Sequence, residues 1–163
     1  MKTRYDSLLI YALQKAQDSL DPSTQNAALL VCPSSNAILI EEVNRFPDHI
    51  LENPERWERP TKYDYVEHAE RNAIYAAARE GIKTDGLIMV CPWAACTACS
   101  RALIQAGISK LVRLPQNDAI LNPRWEDDGK IADKMLKEAG IEIEDLDIHA
   151  GVVLRMGGKE IEF

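Results

Sequence analysis

Little in this sequence ties the chain to a membrane, a secretory route or a nucleic acid. No apolar run approaches the length needed to span a bilayer. The start, Met1-Lys2-Thr3-Arg4-Tyr5-Asp6, carries charge, and the apolar residues after it are interrupted at Gln14, Lys15 and Asp18, so no signal peptide is expected. A basic excess is missing too. Lys and Arg number 19 against 26 Asp and Glu, for a net charge of −7, which disfavours a long polyanion as partner. A small phosphorylated ligand, which needs only two or three local cations, stays open. Cysteine is scarce: Cys32, Cys91, Cys96 and Cys99 are the four. Two form a metal-like C-x-x-C and the others sit in apolar stretches, so the expected setting is reducing and cytoplasmic rather than one that needs a disulfide framework. Repeats, linkers and low-complexity tracts are lacking. What remains, 163 residues with 46% hydrophobic and 28% charged, fits a soluble globular chain with a single domain over residues 1–163.

Periodicity supplies the elements. Leu8, Leu9, Ala12, Leu13 and Ala16 recur at helical spacing within residues 3–19, and Asp21-Pro22 stops the helix. Residues 27–32 and 37–43 read as strands of a hairpin around Pro33-Ser34-Ser35-Asn36. Residues 44–66, with Pro47, Pro54 and Pro60, have no clear period and read as a long functional loop with one helical turn. An alanine-rich helix over 67–80 ends at Gly81. A strand over 87–91, a helix over 97–106, a strand over 110–114, a helix over 128–139 and a strand over 141–146 follow, and residues 151–163 are expected to add an edge strand. This order implies an α/β fold with a mixed sheet and helices on both faces.

The residues that carry chemistry are His68-Ala69-Glu70 and Cys96-Thr97-Ala98-Cys99. One histidine and two cysteines make three zinc ligands, and a catalytic zinc site keeps its fourth position open where a structural one closes it. Cys96 and Cys99, three apart at a helix start, place both thiols on one face, where unpaired N–H groups favour the thiolates. Glu70 need not be a ligand; its natural role is to take a proton from water and hand it on. Two plainer readings compete: a redox C-x-x-C pair, and a structural zinc closed by Cys91. Cys32 reads as a small buried apolar residue, His49 and His149 as surface histidines, and Gly157-Gly158-Lys159 as a turn rather than a phosphate loop.

His-x-Glu followed after a strand by Cys-x-x-Cys resembles the zinc-dependent nucleoside and nucleotide deaminases. His68-Ala69-Glu70-Arg71-Asn72-Ala73-Ile74 is similar in particular to the deoxycytidylate (dCMP) deaminase branch, and the resemblance covers about residues 27–114. It implies a cytidine-deaminase-like three-layer α/β/α fold with a mixed five-stranded sheet. It implies that His68, Cys96 and Cys99 bind zinc, that Glu70 is the proton shuttle, and that the Ala69 backbone N–H holds the pyrimidine carbonyl. Asn44 resembles the family asparagine that binds the sugar; its plainer reading is a turn residue. Trp93 matches an aromatic that lines the base pocket, and could equally be core. The chain departs from the pattern at Ala95, where the family has proline before the first cysteine; the ligands are untouched.

The implied reaction is hydrolysis of dCMP to dUMP and ammonia, supplying dUMP for thymidylate synthesis. The residues leave other substrates open: cytidine or deoxycytidine, guanine-like heterocycles, and tRNA adenosine or single-stranded DNA. A 5′-phosphate needs cations, and Arg45, Arg56, Arg59 and Lys62 are the candidates; Arg56 and Arg59 could instead balance Glu52, Glu55 and Glu58 at the surface. The acidic total and the long loop favour the mononucleotide over a nucleic acid. The resemblance further implies a homo-hexamer activated by dCTP and inhibited by dTTP, with Mg²⁺ on the effector phosphates. Arg79 falls near the family's effector site, while Ala76 replaces an aromatic often found there.

Overall fold

A computed structural model describes residues 3–116 and 126–163. The charged start at Met1-Lys2 lies outside that range. Helix α1 (Asp6–Ala16) precedes strands β1 (Ala27–Val31) and β2 (Ile38–Val43); a 3₁₀ turn (Pro54–Trp57) and a short helix α2 (Lys62–Tyr65) lead into α3 (Ala69–Glu80). Then come β3 (Ile88–Val90), α4 (Thr97–Gln105), β4 (Lys110–Arg113), α5 (Glu126–Glu138), β5 (Glu142–Asp145), β6 (Val153–Met156) and β7 (Lys159–Glu162). The main sheet runs β2-β1-β3-β4-β5. β1 is antiparallel to both neighbours, and β3, β4 and β5 are parallel. This is the mixed five-stranded sheet expected.

Each layer follows from its residues. The apolar run Ala27–Val31 is buried on both faces, as suits a strand with partners on either side. Edge strand β2 leaves Ile38, Leu39 and Glu41 exposed. On one face, Leu9, Ala12 and Leu13 of α1 pack with Leu29, Val31 and Val90. On the other, the alanines of α3 (Ala69, Ala73, Ala76, Ala77) let its backbone lie close on Ala28, Leu30 and Met89, beside Leu103 of α4 and Leu136 of α5. The last turn of α3 closes at Gly81 in the left-handed conformation, φ 71°. Gly107, φ +73°, lies so near Asp85 that an added Cβ would sit 2.7 Å from its carboxylate.

Three expectations are corrected. The C-terminal residues do not extend the main sheet: β6 and β7 form their own antiparallel ribbon through a Gly157-Gly158 turn. Leu154 and Phe163 bury that ribbon on the α1 face, so its apolar side is satisfied by packing rather than by an edge. The loop over 44–66 holds two helical turns, not one. Cys32 is only half-buried: β1 ends at Val31, and the thiol sits in the turn, 3.2 Å from Ser34 Oγ. Hydrogen bonds from Ser34 and Ser35 pull that thiol down to about 6. His49 and His149 are exposed, as expected. No helix among the described residues is long and apolar enough to cross a membrane.

Candidate active site

His68 and Cys96 occupy equivalent places, each as the N-cap of a helix. An N-cap residue has extended backbone, so its side chain projects past the helix end instead of along its flank. The two ends meet. His68 Nδ1 lies 3.6 Å from Cys96 Sγ and 3.6 Å from Cys99 Sγ. Cys96 Sγ accepts the Cys99 backbone N–H at 3.4 Å, which caps the helix and fixes the spacing of the two sulfurs.

The donor atoms of His68, Cys96 and Cys99 all lie within 4.8 Å of one another, a group able to hold a metal ion. With zinc–sulfur bonds near 2.3 Å and zinc–nitrogen bonds near 2.0 Å, a tetrahedral N···S edge is roughly 3.5 Å, which matches the observed separations. Two soft thiols and an imidazole suit zinc rather than calcium or magnesium. Cys91 does not join the group: it is buried, and its Sγ accepts from Asn26 Nδ2 at 3.3 Å. Beside the group, Glu70 is only 2% exposed, and its Oε2 has no hydrogen-bond partner among the described residues. A buried carboxylate oxygen left unpartnered is costly, so the site fits a cation and a substrate better than it fits a folding role.

The electrostatics agree. A hydrogen bond from Cys99, helped by His68, overcomes burial and draws the Cys96 thiol down to about 3. The same contact, with burial, pushes Cys99 well up; metal binding displaces protons from such thiols. Burial pushes the Glu70 carboxyl up. For His68, burial works against the proton, but the contact with Cys96 and the charge of Glu70 prevail and its value is raised. Arg71 stands 3.7 Å from Cys99 Sγ and is also ion-paired to Glu67, which accepts the His68 backbone N–H at 3.0 Å.

The group opens into a cavity of about 930 Å³, counting its mouth. His68, Glu70 and Cys96 line it together with Asn44, Trp93, Arg59 and Lys62. Cys99 is buried behind them. Asn44 and Ala69 do not stand free: Asn44 Oδ1 accepts the Ala69 N–H at 2.9 Å, and Asn44 Nδ2 donates to Thr24 O at 2.9 Å. Trp93 belongs to both core and wall. Its indole N–H donates to Gln25 O at 2.8 Å, and its ring lies 4.8 Å from that of Phe163.

The cations expected to meet a phosphate separate sharply. Lys62 is in the wall, but it is 4% exposed and its ammonium is spent on both oxygens of Asp21 at 2.8 Å and on Ser23 Oγ at 2.6 Å. Arg45 is outside the wall, held by Glu42 at 2.9 Å and Asp48 at 2.6 Å. Arg56 is outside it as well, bonded to Leu51 O and lying 4.6 Å over the Tyr65 ring. Arg79 is exposed and paired with Asp48 at 2.6 Å. Arg59 alone among these is in the wall with no hydrogen-bond or ion-pair partner among the described residues. Sequence reasoning missed Asp21, Asn26, Gln116, Asp128 and the ribbon's Met156 and Gly157, which also line the cavity. Asp21-Pro22-Ser23 carries a turn signal, and Asp21 does accept the Ser23 and Thr24 N–H groups; nothing local announces its ion pair.

The family described as the cytidine and deoxycytidylate deaminase zinc-binding region matches residues 2–114. An uncharacterized deaminase of the luxG 3′ region of Aliivibrio fischeri is 33% identical over 125 residues, 77% of this chain and 81% of that one. Human deoxycytidylate deaminase is 35% identical over 107 residues, 62% of this chain, which spans 58% of the human protein's length. The dCMP deaminase of cyanophage S-TIM5, solved with dCMP and dUMP, superposes with a TM-score of 0.71 at 24% identity, covering 90% of this chain and 99% of that one. That likeness confirms the fold.

Proposed function

The chain belongs to the cytidine and deoxycytidylate deaminase zinc-binding family, and on that premise we propose that it hydrolyses dCMP to dUMP and ammonia, acting as one domain over residues 1–163. The carrying observation is the meeting of His68, Cys96 and Cys99 beside a buried, half-unpartnered Glu70 at the inner end of a cavity. The three would hold zinc. When bound, zinc supplies a Lewis acid that brings the pKa of a water to about 7.

The chain's own groups do the rest. Glu70 takes a proton from the attacking water and places it on N3 of the cytosine. It then takes the remaining proton from the new C4 hydroxyl and delivers it to the exocyclic amine as the C4–N bond breaks, so ammonia leaves and C4 keeps the oxygen as a carbonyl. Burial keeps that relay away from bulk water. Trp93, fixed by Gln25 and Phe163, gives the base a rigid apolar wall. The Asn44–Ala69 pair offers the sugar and the pyrimidine carbonyl a polar edge that can open to accept them. Arg59 takes the 5′-phosphate, to which a guanidinium can bind bidentately.

A nucleoside deaminase is the second reading, favoured by one observation: Asp21 already neutralises Lys62, which leaves the described wall with a single unpaired cation, Arg59. The loss of cytosine absorbance with zinc-loaded protein decides between them. Turnover of dCMP with little of deoxycytidine supports the nucleotide reading, equal turnover supports the nucleoside one, and turnover of neither removes both. The resemblance supports three further parts of the proposal: a cytoplasmic homo-hexamer, supply of dUMP for thymidylate synthesis, and control by dCTP and dTTP with Mg²⁺ at a site that includes Arg79. Titrating activity with the two triphosphates tests the last; flat curves remove it.

A further inference from the structure

Thr97 lies between the two sulfur donors, and its partner comes from a different helix. Asp128, in the first turn of α5, accepts the Thr97 backbone N–H at 2.9 Å through Oδ2 and the Thr97 hydroxyl at 2.8 Å through Oδ1. Both carboxylate oxygens thus hold one residue. The Thr97 N–H is one of the four that a helix start leaves unpaired, and the Cys99 N–H, held by Cys96 Sγ, is another. The turn from Cys96 to Cys99 is therefore fixed at two points. One is internal, and the other is carried across by the packing of α5 on α4.

We propose that Asp128 is a positioning residue for the metal: it locks the Cys96–Cys99 turn in its ligating geometry and sets the affinity of the site from α5. The paired hydrogen bonds stop Thr97 from turning, so the sulfur spacing is set before metal arrives. Partners one step removed from a metal's ligands commonly change affinity about 10–100-fold when lost. Asp128 lies beyond the stretch matched by the family, so α5 brings its own contribution to the site.

The inference rests on the metal-site reading above, and the test keeps the two apart. Zinc affinity is measured by competition with a chromophoric chelator, and cobalt(II) in the same site reports ligand geometry through its visible bands. Wild type is expected to bind one zinc tightly. Asp128→Ala should bind it roughly ten-fold or more weakly with shifted cobalt bands. Asp128→Asn and Thr97→Val, which keep part of the contact, should fall between, and Thr97→Ser should match wild type. Asp133→Asn is the control: it loosens α5 by weakening the Arg113 pair at 2.7 Å without touching the turn, and its zinc affinity should be that of wild type. Should Asp128→Ala not fold, Asp128→Asn and Thr97→Val carry the comparison. Unchanged affinity and cobalt bands across the Asp128 and Thr97 variants overturn the proposal, as does an equal loss in Asp133→Asn. A wild type that binds no zinc overturns the metal-site reading, and the proposal with it.

Discussion

His68 and Cys96 stand at the starts of two helices whose inner faces lie on the sheet, while Arg59 and Lys62 stand in the long segment between β2 and α3. The inner end of the cavity inherits its geometry from α3, α4 and the strands beneath them. The segment that carries Arg59 rests on one buried ion pair, Asp21 with Lys62, and on a small aromatic cluster away from the cavity wall, in which Phe46 stacks on Trp57 at 4.2 Å and meets Tyr65 at 5.7 Å. Proton transfer needs atoms held to fractions of an ångström, and regular elements supply that. Recognition of a charged group tolerates more movement, so a loop suffices. Damage at the two ends should therefore look different: lost chemistry at one, lost stability or substrate preference at the other.

Glu70→Gln gives the largest expected effect. It should lower kcat by about 10²–10⁴-fold while keeping the zinc content and thermal stability near wild type; a variant with normal turnover would break the assignment. Asp21→Ala should act at the mouth and on stability. It leaves Lys62 buried without its counter-charge, at a cost of about 3–5 kcal/mol in denaturant unfolding, and adding Lys62→Met should recover most of that. Arg59→Ala should be milder and selective. Loss of a charged hydrogen bond of about 1.5–3 kcal/mol would raise KM for dCMP roughly 10–100-fold and leave deoxycytidine unaffected. Equal effects on both substrates would take Arg59 away from the phosphate. Arg79→Ala, which removes an exposed ion pair with Asp48, should change stability by less than about 1 kcal/mol.

The inner end is the legible one. Metal chemistry demands particular residue types at short spacing, so His68-Ala69-Glu70 and Cys96-Thr97-Ala98-Cys99 stand out in the bare sequence. Gly81 and Gly107 mark the helix ends for an equally local reason. The mouth is illegible because its logic is not local. Four cations look equivalent along the loop, and what separates Lys62 from Arg59 is a carboxylate 41 positions away. Residues 151–163 have strand character, but propensity does not say which strands will pair; burial of Phe163 against Trp93 decides that. Cys32 follows an apolar run, which favours an inside position, yet the strand stops one residue earlier.

The spread of the site along the chain also orders its assembly. His68 and Cys99 are 31 positions apart, so the would-be ligands can find one another by closing a loop of modest length. The wall around Trp93 needs Gln25 joined to Arg155, 130 positions away. A contact that distant costs more chain entropy to close and forms later. A newly folding chain would then capture its metal before it had a chamber to work in.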